Sequence, residues 1–155
     1  MLGNTQKMRK KKDAAADRLP KNARAQSKPM KSSQKKKCVL VVDDEVQICN
    51  IVQKVLSREG YDIVTALSGD EALKQLEKAA VDLILVDLKM PGMDGLEMLR
   101  QARDIQGNLR AILMTAYGTA SSARNAMALG VCDFLAKPFD NRLLKKVVKE
   151  ALGAE

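Results

Sequence analysis

Histidine is absent from this 155-residue chain, and so is tryptophan. Without histidine, a Ser-His-Asp or Cys-His catalytic centre and a metal site with imidazole ligands are both excluded. Cysteine is scarce: Cys38, Cys49 and Cys132 form no C-x-x-C pair and cannot complete a tetrahedral thiolate zinc site. We therefore expect three small apolar side chains in a reducing compartment.

Long apolar stretches are missing as well. The chain has no apolar run of about 18 residues, the length that a membrane span requires. Its N-terminus also lacks the apolar core of a secretory signal peptide. We expect a protein without a transmembrane segment, located in the cytoplasm.

The formal net charge of +8 is unevenly distributed. Residues 1–37 hold 13 Lys and Arg against two acids, whereas residues 38–155 hold 14 against 17. The first segment contains no Val, Ile, Phe or Tyr, so it cannot bury enough apolar surface to offset the entropy of ordering. We predict a disordered basic tail over residues 1–37 and one folded domain over residues 38–155.

Short apolar runs alternate with amphipathic stretches in the second part. The predicted strands are 38–42, 61–66, 82–87, 111–115 and 131–136. Helix signals lie between and after them: Gly60 ends the first helix, and Ser68, Asp94 and Asp140 are N-cap residues of later ones. A weaker, alanine-rich helix is predicted over about 119–129.

Five repeats of strand and helix predict a doubly wound α/β fold. Strands that are apolar on both faces are typical of a parallel sheet covered by helices on both sides. In such folds the ligand binds outside the carboxyl ends of the strands.

Polar residues end four of the five strands. They are Asp43, Asp44 and Glu45, then Asp87, then Thr115, and finally Lys137 with Pro138. Each alone is ordinary, since a strand-end aspartate is usually a cap or turn residue and a lone lysine is usually solvated. Their convergence at one edge of a sheet is not ordinary.

Converging carboxylates need a counter-charge. Two of them about 5 Å apart repel by roughly 3 kcal/mol at an effective dielectric near 20. A divalent cation removes this repulsion, and an all-oxygen ligand set with room for water suits Mg²⁺. We predict a magnesium site at this edge.

Four motifs occur in order: VVDDE at 41–45, LVDLKMPGMDGLE at 85–97, MTAYG at 114–118 and FLAKPF at 134–139. Gaps of 43, 28 and 22 residues separate Asp44, Asp87, Thr115 and Lys137. With these motifs, residues 38–155 resemble the receiver domain of two-component response regulators, such as the single-domain chemotaxis type. The resemblance implies a flavodoxin-like, three-layer (βα)5 sandwich with strand order 2-1-3-4-5.

The resemblance also implies a chemistry. Asp87 would accept a phosphoryl group, Asp44 would bind Mg²⁺ directly, and Asp43 would bind it mainly through water. Asp87 and the backbone carbonyl of Lys89 would complete the protein ligands. Lys137 would contact the phosphoryl group, as would the Thr115 hydroxyl.

The same resemblance implies a conformational switch. Thr115 moves toward the phosphoryl group, Phe134 turns inward, and the face made by the fourth helix, fifth strand and fifth helix changes for a downstream protein target. A cis Lys137–Pro138 peptide would direct the lysine inward. Lys89 and Tyr117 occupy positions that vary within this family. Their long side chains would shield the phosphoryl group from water and so lengthen its lifetime.

The phosphoryl donor is expected to be a separate histidine kinase or histidine phosphotransferase, because this chain has no histidine. By resemblance, it would dock beside the first helix, near Val46, Gln47 and Asn50. The protein would then be a phosphoacceptor that assists its own phosphorylation and dephosphorylation, not an enzyme.

Three alternatives remain. The first is a phosphatase of haloacid-dehalogenase type. Such enzymes carry a second aspartate two residues after the nucleophile; this chain has Lys89 there, which argues against this class. The basic tail, residues 1–37, could bind polyanions such as nucleic acid, anionic lipid or acidic proteins, with affinity that falls with salt. Finally, the TAYG run resembles receivers of enhancer-binding transcription regulators, so the chain could be a receiver fragment of one. If instead the chain is complete at Glu155, we expect it to lack an output domain and to act by regulated contact.

Overall fold

The computed structural model describes residues 35–116, 124 and 126–153. The strands are β1 (Cys38–Val42), β2 (Asp62–Ala66), β3 (Leu83–Asp87), β4 (Arg110–Thr115) and β5 (Asp133–Ala136). The first three helices are α1 (Val46–Arg58), α2 (Gly69–Lys78) and α3 (Gly95–Ile105). Residues 126–128 are helical and are labelled α4. The last helix, Asn141–Ala151, is then α5.

The five strands form one parallel sheet of order β2-β1-β3-β4-β5. Both the parallel pairing and the order predicted by resemblance are confirmed. In register, Val42 lies opposite Val86 and Thr115 lies opposite Ala136. The residues that follow β1, β4 and β5 therefore meet the end of β3 at one edge of the sheet.

Apolar residues of alternate parity pack on opposite faces of the sheet. Leu40 and Val42 of β1 belong to a buried cluster with α2 and α3, whereas Val39 and Val41 belong to a second cluster with α1 and α5. The central strands are thus buried on both sides, as a doubly wound fold requires. This packing holds the strand ends at fixed positions.

The predicted helix caps are present. The side chains of Ser68, Asp94 and Asp140 each accept a hydrogen bond from the backbone N–H three residues later, at 3.1, 2.8 and 2.7 Å. Gly60, with φ of +97°, ends α1 as predicted. The N-cap of α1 differs: Glu45 makes no capping hydrogen bond with its side chain.

The predicted fifth strand begins too early. Residues 131–136 were expected to be extended, but β5 begins at Asp133. The Val131 N–H donates to the Ala126 carbonyl at 3.2 Å, and Gly130 has φ of +75°. These two features close the turn after α4, so Val131 belongs to that turn. The starts of β2, β3 and β4 differ from prediction by one residue each.

Some predictions fall on residues outside the described part. Only Lys35, Lys36 and Lys37 of the predicted basic tail are described, and all three are exposed. Tyr117 and most of the predicted fourth helix also lie outside it. Among the described helices, none has both the length and the apolar character needed to cross a membrane.

Gly95 brings α3 against the end of β3. A Cβ atom at this position would overlap the Asp87 carbonyl oxygen and would lie 3.0 Å from Leu88 Cα. We expect Gly95→Ala to lower the free energy of unfolding by about 1–3 kcal/mol, because backbone atoms cannot yield as a flexible side chain can. Denaturant unfolding measures this loss.

The matched control is Gly107→Ala. A Cβ there would lie 3.9 Å from its nearest neighbour, the Arg103 carbonyl oxygen. This variant should be about as stable as the parent protein. Equal stability of the two variants would contradict the close approach of α3 and β3.

Candidate functional site

An acidic cluster lies at the carboxyl edge of the sheet. Asp43, Asp44 and Asp87 each offer one carboxylate oxygen, and these oxygens lie within 4.8 Å of one another. Asp43 is fully buried and Asp87 is 5% exposed, whereas Asp44 faces solvent. The sheet register thus brings together three carboxylates that are up to 44 positions apart in the sequence.

Lys137 supplies a positive charge to this cluster. It follows β5 and forms a cis peptide with Pro138, as predicted. Its Nζ atom lies 2.7 Å from Asp43 Oδ2, 3.2 Å from Glu45 Oε1 and 3.4 Å from Asp87 Oδ2. Its backbone N–H donates to the Thr115 carbonyl at 2.8 Å, which ties the ends of β4 and β5 together.

Backbone and thiol donors hold the two buried aspartates. The Glu45 N–H donates to Asp43 Oδ1 at 2.9 Å, and the Lys89 N–H donates to Asp87 Oδ1 at 3.4 Å. The Cys49 thiol donates to the Asp43 carbonyl at 3.5 Å. Burial, and next the Asp43 charge, raise the pKa of this thiol to about 11, so Cys49 stays protonated at neutral pH.

The charges in the cluster shift each other's protonation. Burial, and next the Asp43 carboxylate, raise the pKa of Asp87, against the opposing effects of Lys137 and the Lys89 N–H. Burial disfavours charged Lys137, but hydrogen bonds to Asp43 and Glu45 and the negative charges of Asp43 and Asp87 outweigh it and raise the lysine pKa above its ordinary value. One fixed ammonium therefore lies among several carboxylates.

This donor set fits a divalent cation. The three clustered side chains offer oxygen atoms only, which Mg²⁺ prefers, and the exposed Asp44 leaves a side open to water. A cation would supply the charge that one ammonium cannot provide for all the carboxylates.

The remaining predicted site residues lie after β3, at the end of β4, on β5 and on α1. Thr115 ends β4 and is 7% exposed. Phe134 lies on β5 opposite Leu113 and is half-buried against the apolar core between the sheet and helices α2 and α3. The Lys89 side chain is exposed. The predicted docking residues of α1, Val46, Gln47 and Asn50, are also exposed.

Two residues contribute to the site beyond those predicted. Glu45 contacts Lys137, and Gly95 approaches the Asp87 backbone closely. The adjacency of Glu45 to two aspartates was visible in the sequence, but its contact with a lysine 92 positions away was not. For Gly95, a glycine directly after the N-cap Asp94 was the available signal.

Comparison with known families decides the classification. The model of the response regulator receiver domain matches residues 39–149. The chain belongs to this family. Receiver domains are phosphorylation-activated switches of two-component systems, so the predicted family and function are confirmed at that level.

Two curated relatives illustrate the family range. The receiver is 40% identical to sporulation initiation phosphotransferase F of Bacillus subtilis over 114 residues, which cover 74% of this chain and 92% of that protein. It is 36% identical to the transcriptional regulatory protein ZraR of Escherichia coli over 115 residues, which are 74% of this chain but 26% of ZraR.

Solved structures agree with the fold. A CheY-like receiver domain protein from Methanospirillum hungatei superposes with a TM-score of 0.74 at 29% identity, over 77% of this chain and 95% of that one. TrrA from Thermotoga maritima, solved with Mg²⁺ and beryllofluoride, has a TM-score of 0.67 at 37% identity, over 74% and 98%.

The Lys137 ion cluster should matter for stability. We expect Lys137→Met, in the presence of EDTA, to lower the free energy of unfolding by about 3 kcal/mol. The substitution leaves the buried Asp43 and Asp87 carboxylates without the lysine ammonium that pairs with them. Urea unfolding measures the change.

Lys145→Met is the matched control for this prediction. Lys145 Nζ lies 3.9 Å from Glu59 Oε2, and both side chains are 44% exposed, so an effect below about 1 kcal/mol is expected. If the two variants lose the same stability, the buried cluster does not depend on Lys137.

Proposed function

We propose that Asp87 is the phosphoacceptor of this receiver domain. The observation that carries the proposal is its position: it ends β3, is nearly buried, and lies beside Asp43, Asp44 and the Lys137 ammonium. One Asp87 carboxylate oxygen forms a P–O bond while the P–N bond of a donor phosphohistidine breaks. The displaced imidazole nitrogen keeps the electron pair of that bond.

We further propose that Asp43, Asp44, Asp87 and the Lys89 backbone carbonyl hold Mg²⁺ during transfer. The oxygen-only side chains of the acidic cluster support this, and so does the Mg²⁺ in the related TrrA structure. When bound, the cation supplies neutralisation of charge on the carboxylates and on the transferred group.

Lys137 and Thr115 complete the proposed phosphoryl site. A phosphoryl group in transfer spreads its charge over its outer oxygens, so catalysis consists mainly of positioning and charge stabilisation. The Lys137 ammonium, 3.4 Å from Asp87 Oδ2, is placed to pair with one oxygen. The Thr115 hydroxyl, at the adjoining strand end, donates to another in this proposal.

The signal would leave the site through Thr115 and Phe134. We propose that Phe134, which is half-buried on β5, turns inward after phosphorylation and changes the α4-β5-α5 face for a downstream protein. Lys89 and Tyr117 are proposed to shield the phosphoryl group from water and lengthen its lifetime. The Lys89 side chain is exposed to solvent, which leaves it free to extend over the site.

The chain is proposed to act as a phosphoacceptor rather than as a turnover enzyme. A haloacid-dehalogenase-type phosphatase needs a carboxylate two residues after the nucleophile, where this chain has Lys89. The receiver would instead assist its own phosphorylation and dephosphorylation. Free Cys38, Cys49 and Cys132 are consistent with the cytoplasm as the proposed location.

The proposed partners are of two kinds. A histidine kinase or histidine phosphotransferase would dock beside exposed Val46, Gln47 and Asn50 of α1. The downstream target is either a separate phosphorelay protein, by analogy with the sporulation phosphotransferase, or an output domain, by analogy with ZraR. Residues 1–37 are proposed as a basic tail that contacts polyanions non-specifically, and residues 38–155 as the receiver domain.

Phosphoryl labelling tests the acceptor. With a radiolabelled small-molecule phosphoryl donor and Mg²⁺, the parent protein should take up acid-labile label, and EDTA should abolish the uptake. Asp87→Asn should reduce labelling to background, because an amide oxygen is a poor nucleophile.

Asp82→Asn provides the control for the loss of a carboxylate. Asp82 precedes β3 at the opposite edge of the sheet, where its side chain accepts a hydrogen bond from the Cys38 N–H at 2.8 Å. This variant should be labelled like the parent protein. Label that resists acid, or that persists in Asp87→Asn, would refute the proposed acceptor.

A further inference from the structure

Glu45 lies at the N-cap of α1 without capping it. The N-cap side chains of α2, α3 and α5 all accept hydrogen bonds from their own helices. The Glu45 side chain makes no such bond; only its backbone carbonyl accepts from the helix, from the Ile48 and Cys49 N–H groups at 3.0 and 3.3 Å. Its Oε1 atom instead lies 3.2 Å from Lys137 Nζ. The carboxylate is therefore directed at the lysine.

Lys137 is shared between two kinds of carboxylate. Asp43 and Asp87, at 2.7 and 3.4 Å from Nζ, belong to the cluster that could hold a metal ion. Glu45 does not belong to that cluster, and its side chain is 58% exposed. A cation on the aspartates repels the ammonium, whereas Glu45 still attracts it.

We propose that Glu45 is a positioning residue for Lys137, which it holds when a divalent cation occupies the aspartates. By offering the ammonium a second carboxylate, Glu45 lowers the competition between Lys137 and the cation and so strengthens cation binding. This inference rests on the proposed function of Asp43, Asp44 and Asp87 as cation ligands.

Calorimetric titration with MgCl₂ of the full chain tests the inference without any phosphorylation. We expect Glu45→Gln to weaken Mg²⁺ binding about threefold to fivefold, in the range of a partly exposed ion pair. Glu59→Gln is the control, because Glu59 follows the other end of α1 and pairs with Lys145 instead. It removes the same charge and should leave the affinity unchanged.

A second variant separates the effect of side-chain length from the effect of negative charge. Glu45→Asp keeps the negative charge beside the cluster but shortens the side chain by one methylene, so it loses the contact with Lys137. Aspartate is also a favoured N-cap residue, so the fold should be maintained. We expect this variant to bind Mg²⁺ as weakly as Glu45→Gln. An affinity closer to that of the parent protein would overturn the inference, because charge alone would then suffice.

A double-mutant cycle with Lys137→Met provides the second measurement. Without the lysine, Glu45→Gln should change the Mg²⁺ affinity by less than about twofold. The same factor in both backgrounds would overturn the inference. If Lys137→Met does not fold, the Glu45→Asp result decides.

The failures of the two proposals are distinguishable. A parent protein that binds no Mg²⁺ contradicts the proposed function of the aspartate cluster. A parent protein that binds Mg²⁺, with an unchanged affinity in Glu45→Gln, contradicts only the positioning role of Glu45.

Discussion

One ammonium group placed among several carboxylates is the constraint on which this site depends. Lys137 Nζ lies within 3.4 Å of oxygens from Asp43, Glu45 and Asp87, and the two aspartates are almost inaccessible to water. Burial makes every charge in such a cluster costly unless it is paired. A single positive charge leaves an excess of negative charge, which is what attracts a divalent cation. The proposed chemistry of the site follows from this imbalance.

The parallel sheet makes the imbalance possible. Strands from distant parts of the chain end at the same edge, and the clusters on both faces hold those ends in place. Gly95 also fixes the position of the Asp87 backbone, because the absence of a side chain lets α3 pack directly against the end of β3. Hydrogen bonds from the Glu45 and Lys89 N–H groups then orient the aspartates. The apolar core thus determines the geometry of the polar site, and Cys49 belongs to both, because it packs in the core and its thiol donates to the Asp43 carbonyl.

The sequence predicted the features that depend on local pattern. Strands apolar on both faces, and caps such as Ser68, follow from the chemistry of neighbouring residues, so the sheet and most helix ends were correct. Val131 was misassigned because its apolar side chain is equally typical of a strand and of the turn that Gly130 closes. The Glu45–Lys137 contact was missed because it depends on two flexible side chains brought together by tertiary structure. The roles of the site residues came from family resemblance, and they remain proposals.

The same imbalance explains how such a site can act as a switch. Under the proposed function, phosphorylation of Asp87 adds negative charge next to carboxylates that already share one lysine. Lys137 cannot keep three carboxylate contacts and also pair with the new group, so its contacts must be redistributed. Its backbone N–H bonds to the Thr115 carbonyl at 2.8 Å, and Thr115 pairs with Ala136 of β5, two residues from Phe134. A shift in the position of Lys137 can therefore be transmitted through these backbone contacts to β5, the strand that carries Phe134.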